Sequence, residues 1–204
     1  MADLPIDLGD ELADRLASVL DAEGKIPRAL EALGPVGERD VTLLDGAGGL
    51  RARQLEELGA RVQRADESAG GLASCPAASA DVVVACWTSF RGFDDAELTQ
   101  AERVVRPGGR LLVVHDYGRD DISRLRGDRP EYGDWSRRDG PFLTRGFKIR
   151  VIHCWWTFAD VDSARSFLEA AFGETGRDVA AGLNRPRLSY NIAVYHRTMG
   201  VPSG

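Results

Sequence analysis

The chain has 204 residues, 43% of them hydrophobic and 28% charged, a length and composition that suit one soluble globular domain with a single core. Its formal net charge of −6 disfavours a general affinity for nucleic acid or for an anionic membrane. No apolar run reaches the length of a membrane span, and the acidic amino terminus lacks a signal-peptide pattern, so we expect a cytoplasmic protein. Lysine occurs only at Lys25 and Lys148, beside abundant arginine, alanine and glycine, which is typical of a GC-rich bacterial genome.

The cysteines and histidines are scattered along the chain and do not have the spacing of a metal site. Cys75, Cys86 and Cys154 are odd in number, lie far apart and form no CxxC pair. This pattern predicts buried free thiols in a reducing compartment and no structural zinc.

Hydrophobic periodicity and capping residues predict alternating helices and strands along the first third of the chain. The elements expected there are a helix over Asp10–Glu23, a short helix with Pro27 in its first turn that stops at Gly34, a strand over Asp40–Asp45, a helix over Leu50–Leu58 ended by Gly59, and a strand over Ala60–Asp66.

The same alternation continues after a loop over residues 67–80 that is rich in glycine, alanine and serine. The elements expected next are a buried strand over Asp81–Trp87, a helix over Asp95–Val105 that begins with the capping pair Asp94 and Glu97, a strand over Arg110–Tyr117 after the RPGG turn, a strand over Lys148–Phe158, a helix from the cap Asp160 to Phe172 that Gly173 stops, and a strand over Arg187–Arg197.

Strands and helices of these lengths predict a Rossmann-like α/β fold with a mostly parallel sheet and helices on both faces. No internal repeat or linker divides the chain, so we expect one domain. Its expected parts are amino-terminal helices (1–38), a cofactor-binding half (40–117), a segment that is either a long loop or a partly helical lid (118–146), and a carboxyl-terminal strand–helix–strand unit (147–198).

A glycine-rich turn follows the first predicted strand, and an acid follows the second. Gly46, Ala47 and Gly48 supply a GxG pattern, and Asp66 stands twenty positions after Gly46. Glycines let the backbone approach a ligand, the helix amino terminus offers free N–H groups, and an acid at the next strand end accepts ribose hydroxyls. The third expected glycine is not in place, so tight packing of strand on helix is the alternative interpretation.

A dinucleotide dehydrogenase is the first ligand-binding class to test. Short-chain dehydrogenases need a Tyr-x-x-x-Lys pair, in which the lysine lowers the pKa of the tyrosine. The residues four positions before the two lysines are Asp21 and Thr144, so this class is disfavoured.

Three segments resemble class I S-adenosylmethionine-dependent methyltransferases of the type 11-like group, from about Val41 to Asp120. The segment LTQAERVVRPGGRLLVVHDYG is similar to that family's helix, turn and fifth strand, and its RPGG turn is the most specific of the three signals. CPAASADVVVACWTSF resembles the segment into the fourth strand, and LEELGARVQRADES resembles the helix and second strand that end in the ribose acid.

This resemblance implies S-adenosyl-L-methionine as cofactor, a small-molecule methyl acceptor and an antiparallel last strand inserted between the fifth and sixth. Asp66 would take the ribose hydroxyls, although a solvated or turn-capping aspartate is the alternative. The other cofactor-binding positions would be Asp45, Gly46, Ala47, Gly48, Trp87 and Thr88.

The sequence departs from the family pattern in two places. The family has an acid two residues before the first glycine, whereas Asp45 directly precedes Gly46. Residues 67–80 are too few for the usual helix and third strand, so we expect a trimmed third-strand region and the strand order 2-1-4-5-7-6 in the family's names. A degenerate, non-catalytic relative that works through protein contacts is therefore the alternative function.

His115, Asp116 and Tyr117 end a central strand, where ligands of α/β proteins bind. His115 is the candidate general base with Asp116 beside it, and a histidine held in packing is the alternative. Arg91 would pair with an anionic substrate or with Asp116. Tyr117 completes the candidate substrate residues at this strand end.

The segment 118–146 is dense in arginine and aspartate, which predicts an ion-paired surface. The functional alternative is a lid over the substrate, in which Tyr132, Trp135 and Phe142 are apolar anchors and the first two contact substrate. A nucleic-acid-binding arm is disfavoured because the acids cancel much of the positive field.

Overall fold

The computed structural model describes residues 8–44, 49–65, 70–91, 94–127, 129 and 131–200, the side chains of residues 10, 131 and 132 excepted. Six strands form one sheet. They are β1 (Asp40–Leu44), β2 (Arg61–Arg64), β3 (Ala80–Cys86), β4 (Val105–Asp116), β5 (Lys148–Thr157) and β6 (Arg187–Thr198). Seven helices accompany these strands in the described part. They are α1 (Asp10–Val19), α2 (Lys25–Leu33), α3 (Leu50–Glu57), α4 (Asp95–Val104), α5 (Asp121–Leu125), α6 (Glu131–Asp134) and α7 (Val161–Ala181).

The strand order is β2-β1-β3-β4-β6-β5, which is the order predicted from the sequence. The pairs β1–β2, β1–β3 and β3–β4 are parallel, and β6 lies antiparallel between β4 and β5. Residues 70–79 contain a 3₁₀ turn over Gly71–Ser74 and no strand, while residues 66–69 lie outside the described part. The α/β fold class is therefore confirmed.

The sheet is buried on both faces because its central strands are continuously apolar. Val83 and Val84 are both fully buried and belong to opposite hydrophobic clusters. Helices α1, α2, α3, α5 and α7 cover one face, which we call the α7 face. Helix α4 and the aromatic side chains of Phe142 and Phe147 cover the other, the α4 face.

The first helix ends earlier than predicted, at Val19 rather than Glu23. Asp21 adopts a left-handed backbone with φ 58°, and its buried carboxylate accepts the backbone N–H groups of Lys25 at 2.9 Å and Ile26 at 2.6 Å. This carboxylate stabilises the first turn of α2, so the chain has to leave α1 before Asp21.

The seventh helix continues beyond its predicted stop. Gly173 breaks the helical geometry as expected, with φ 59° and ψ −128°, but helical structure resumes and extends to Ala181. Ala180 is buried against the sheet side of the helix. Tertiary packing therefore extends an element that the local stop signal would end.

The RPGG segment lies within β4, which begins at Val105 rather than Arg110. Val105 pairs with Ala80 and Arg110 with Val82, so residues 106–109 bulge out of the ladder. A Cβ on Gly109 would overlap the carbonyl oxygen of Asp81 and lie 2.5 Å from Val105 Cγ1. The motif therefore has a packing role at the start of β4.

We expect Gly109→Ala to lower the free energy of unfolding by about 2–3 kcal/mol, because either the bulge or β3 has to shift. Urea denaturation followed by circular dichroism measures this loss. The matched control is Gly108→Asn, where φ is +83° and no atom lies within 4 Å of an added Cβ. Asparagine tolerates this backbone, so the control should lose about 1 kcal/mol at most. Equal losses would contradict the packing role.

Candidate ligand site at the carboxyl edge of the sheet

The chain reverses its direction of progress across the sheet between β1 and β3. From β1 it passes through α3 to β2 on one side, and it returns to β3 on the other side of β1. In open α/β sheets, ligands bind outside the carboxyl ends of the strands at such a switch point. The edge formed by Leu44 and Cys86 is therefore the candidate site.

A cavity of about 490 Å³ lies at this edge, a size within the usual range for small-molecule sites. Glu97 contributes a carboxylate, which accepts the backbone N–H of Phe90 at 2.9 Å. A larger cleft, about 650 Å³, surrounds Arg110 and Lys148 at the opposite end of β4, away from the strand ends where ligands bind. The cavity at the switch point is lined by Leu44, Gly70, Gly71, Leu72, Ala73, Ser89, Phe90, Ala96, Glu97 and Gln100.

Most of the predicted cofactor-binding residues cannot be placed. Asp45, Gly46, Ala47, Gly48 and Asp66 all lie outside the described residues. Their described neighbours locate the two segments: residues 45–48 join the end of β1 to the start of α3, and residue 66 follows Ala65 after β2.

The other two predicted cofactor residues lie where β3 ends. Thr88 Oγ1 donates to the carbonyl oxygen of Leu44 at 3.5 Å and so bridges the ends of β3 and β1. Trp87 has a left-handed backbone with φ 55° and is 1% exposed. Its Nε1 donates to Asp116 Oδ1 at 3.1 Å. Trp87 therefore lies in the core, directly after the last residue of β3.

Asp116 is the centre of a buried polar network on the α7 face. Besides Trp87, the hydroxyl of Tyr190 donates to Oδ1 and Arg126 Nη1 donates to Oδ2. The side chains of Arg126 and Asp116 are 5% and 9% exposed, so this is a buried ion pair. Burial and the neighbouring Asp116 carboxylate raise the pKa of Tyr190 well above its ordinary value. Sequence reasoning missed Arg126 and Tyr190, because nothing in their local patterns indicates a shared partner.

His115 lies on the opposite face from Asp116, as adjacent residues of a strand do. Its ring centroid is 4.7 Å from that of Trp135 and 6.1 Å from that of Phe142. Burial, and secondarily the charge of Arg91, lowers the pKa of His115 to about 3. The imidazole is therefore uncharged at neutral pH, and its Nε2 has no hydrogen-bond partner among the described residues.

The predicted substrate residues are partly brought together. Trp135 covers His115, and Arg91 Nη1 donates to the carbonyl oxygen of Trp87 at 3.0 Å. Tyr117 is half-buried, with the Arg119 guanidinium 5.6 Å from its ring centroid. The side chain of Tyr132 lies outside the described part. Asp116 pairs with Arg126, and the alternative ion pair of Arg91 with Asp116 stays a prediction.

The segment 118–146 is partly helical and is anchored at both of its ends. Near the first end, the Asp120 carboxylate accepts N–H groups from Ser123 at 2.6 Å and Asn191 at 2.8 Å. Near the other, the Phe142 ring stacks on Tyr195 with centroids 3.9 Å apart. Exposed ion pairs between these anchors fit the predicted ion-paired surface, as at Arg137 with Asp139. A lid function stays a prediction.

The remaining titratable groups do not form a metal centre in the described ranges. Within these residues no group of three or more histidine, cysteine, aspartate or glutamate side chains could hold a metal ion. Cys75, Cys86 and Cys154 are buried free thiols, as predicted. Of the helices between residues 8 and 200 that are described, none is long and apolar enough to cross a membrane.

Comparison with known proteins gives a likeness in structure. No family model matches the sequence, and no curated protein matches it. The chain is similar to a candidate type II methyltransferase from Anaeromyxobacter dehalogenans, with a TM-score of 0.55 and 17% identity, covering 86% of this chain and 95% of that one. It is also similar to a candidate methyltransferase from an antibiotic biosynthesis pathway of Anabaena variabilis, with a TM-score of 0.53 and 14% identity, covering 90% and 100%. The chain therefore has the α/β fold of these two proteins.

Proposed function

We propose that the protein is an S-adenosylmethionine-dependent methyltransferase that acts on a small molecule. The observation that carries this proposal is the cavity at the switch point between β1 and β3, whose lining includes Leu44, the last residue of β1. The fold shared with two candidate methyltransferases and the family-like RPGG segment support it.

The residues around the cavity suit a nucleoside-bearing ligand. Gly70 and Gly71 have left-handed backbones and line the cavity wall, where they let a ligand approach the main chain closely. Gly49 caps α3 with φ 70°, and the amino terminus of a helix offers backbone N–H groups to an acceptor on a ligand. The residues proposed to hold the cofactor are Asp45, Gly46, Ala47, Gly48, Asp66, Trp87 and Thr88.

When bound, the cofactor would supply an electrophilic methyl group on a sulfonium. The protein's task is then to hold the acceptor in line and to exclude water. His115 is uncharged at neutral pH and has a free nitrogen, so it is our candidate proton acceptor once Trp135 moves away. We propose that Asp116, unlike His115, does not accept the proton, since its carboxylate already accepts hydrogen bonds from three side chains.

In this proposal, residues 118–146 form a cover that opens for the substrate. Trp135 packs on His115 and is half-buried, so its displacement would connect His115 to the carboxyl edge of the sheet. Arg91, Tyr117 and Tyr132 would then contact the substrate.

A non-catalytic protein that keeps the fold is the second candidate function. The observation that favours it is the burial of both chemical candidates, His115 under Trp135 and Asp116 in an ion pair. Such a protein would work through contacts with other proteins and would not need to bind the cofactor.

Binding of S-adenosylhomocysteine separates the two functions. We expect Asp66→Ala to weaken binding at least tenfold, since charge-assisted hydrogen bonds to ribose contribute about 1.5–3 kcal/mol. Isothermal titration calorimetry measures the affinity. Asp14→Ala, which removes an exposed carboxylate from α1, is the control for charge and should bind like the wild type.

Two results would count against the proposal. Unchanged affinity in the Asp66 variant would remove the ribose role. No binding of S-adenosylhomocysteine by the wild type at millimolar concentration would favour the non-catalytic protein.

A further inference from the structure

A separate cavity lies between α5, the second half of α7 and the start of β6. Its volume is about 500 Å³, within the usual range for small-molecule sites. We call it the α7 cavity, and its lining includes Leu125, Val179, Leu183, Leu188, Arg185 and Arg187. It shares no lining residue with the cavity at the switch point, which borders the cluster on the α4 face. The two cavities therefore lie on opposite faces of the sheet.

The wall of the α7 cavity is built by the part of α7 that resumes after Gly173. Thr175, Asp178, Val179 and Gly182 line the cavity at the i, i+3, i+4, i+7 spacing of one helix face. The extension of α7 beyond its local stop signal therefore creates this cavity.

The apolar lining of the α7 cavity is continuous with the hydrophobic core. Leu125 and Leu188 are 7% and 2% exposed and belong to the cluster on the α7 face, on which Leu183 also packs. Val179 is 37% exposed and is the exposed large apolar side chain in the part of the chain that the structure describes. An apolar group that entered the cavity would cover Val179 and extend the core.

Three arginines and two aspartates line the same cavity, which gives the lining a positive charge in a chain of net charge −6. Arg124 and Asp121 form an ion pair at 3.2 Å, and Asp121 also accepts the backbone N–H of Ser189 at 2.9 Å and its hydroxyl at 2.7 Å. This pair is therefore satisfied within the protein. The other aspartate, Asp178, is exposed and makes no ion pair within the described ranges.

Arg185 and Arg187 flank Pro186 in a tight turn at the start of β6. The turn is fixed by two backbone hydrogen bonds, from Arg187 to the carbonyl oxygen of Arg185 at 2.9 Å and from Phe158 to that of Pro186 at 2.8 Å. The Arg187 guanidinium lies 4.5 Å from the ring centroid of Trp155. The Arg185 guanidinium is exposed and forms no hydrogen bond or ion pair with a described residue. Its donors therefore face the cavity mouth from a fixed backbone.

We propose that the α7 cavity binds a small carboxylic acid with an aliphatic chain. The chain packs on Leu125, Val179 and Leu188, and the carboxylate pairs with the guanidinium of Arg185. Arginine suits this role because its planar donors match the two oxygens of a carboxylate. The site is independent of the function proposed above, since the sheet separates it from the cavity at the switch point.

Four ligands separate the contributions of chain and charge. Octanoate has two methylenes more than hexanoate, and each buried methylene strengthens binding about fourfold, so octanoate should bind at least tenfold tighter. 1-Octanol and octylammonium keep the longer chain with no charge and with the opposite charge. Both should bind at least about fivefold more weakly than octanoate. Isothermal titration calorimetry measures the four affinities.

Variants of exposed residues locate the ligand without disturbing the core. Arg185→Gln should weaken octanoate at least about fivefold and change 1-octanol less than about twofold. Asp178→Asn removes a carboxylate that repels the ligand and should strengthen octanoate about twofold at low salt. Arg177→Gln is the matched control, because Arg177 is an exposed arginine of α7 that pairs with Glu169 at 2.7 Å and does not line the cavity. It should change neither affinity.

Val179→Asp tests the apolar wall by placing a negative charge on it. This variant should abolish octanoate binding, and its circular dichroism spectrum should match that of the wild type, since Val179 is exposed. If octanoate fails to bind the wild type at millimolar concentration, or binds no tighter than 1-octanol, the acid-binding site is overturned. If octanoate binds and both Arg185→Gln and Val179→Asp leave its affinity unchanged, the α7 cavity is not its site. These readouts do not involve S-adenosylhomocysteine, so they stand whether or not the proposed function does.

Discussion

Asp116→Ala should lower the free energy of unfolding by about 3–5 kcal/mol, because it breaks the buried ion pair between Asp116 and Arg126 by removing the carboxylate. The variant also removes the acceptor of Trp87 Nε1 and of the Tyr190 hydroxyl. The three donors, which lie directly after β3, on β6 and directly after α5, lose one common acceptor. Guanidinium chloride denaturation followed by circular dichroism measures the change.

Two further variants identify the cause of this loss. Asp139→Ala removes an exposed carboxylate that pairs with Arg137, so it should change stability by about 0.5 kcal/mol or less. Asp116→Leu combined with Arg126→Met removes both charges and should recover part of the loss. If the double variant is as unstable as Asp116→Ala, the broken ion pair with Arg126 is not the cause.

Acidification from pH 7 to 5 should destabilise the wild type by about 2 kcal/mol more than His115→Leu. Burial lowers the pKa of His115 from an ordinary value of 6.5 to about 3 in the folded protein. Below pH 6.5 the unfolded chain binds a proton at this histidine and the folded chain does not. The stabilising contribution is therefore complete above pH 6.5 and is lost as the pH falls toward 3.

This comparison is made by urea denaturation at pH 7, 6 and 5. The slope of stability against pH is the readout, since the substitution itself changes packing against Trp135. His153→Gln is the control, because His153 is exposed and bonds to Asn191 at 2.7 Å, and it should keep the slope of the wild type. Equal slopes for His115→Leu and the wild type would show that His115 titrates normally and is not buried in solution.

Together, the two results would assign roles to His115 and Asp116, the last two residues of β4. A strong loss in Asp116→Ala assigns this aspartate to the framework that positions Trp87 at the candidate site. A pH slope that depends on His115 shows that Trp135 keeps the imidazole dry and uncharged. In that case, a catalytic role of His115 requires the 118–146 segment to move, because its base strength depends on hydration.

The strands and most helix ends could be predicted because their signals are local. The continuous apolar run of β3 is a property of seven neighbouring residues. Asp94 caps α4 by accepting the N–H of Ala96, two positions away. The order of the strands came from the resemblance to a family, which local patterns do not supply.

The sequence by itself determined the α/β class, the alternating elements and the position of a ligand edge, because each depends on residues close together in the chain. Only the tertiary structure decided the partners of that edge. Tyr190 lies 74 positions from Asp116 yet donates to its carboxylate. The early end of α1 and the buried ion pair of Arg126 likewise follow from which elements pack together. A buried polar group takes whatever partner the packed elements bring within hydrogen-bond distance, and that distance is not encoded in any short stretch of sequence.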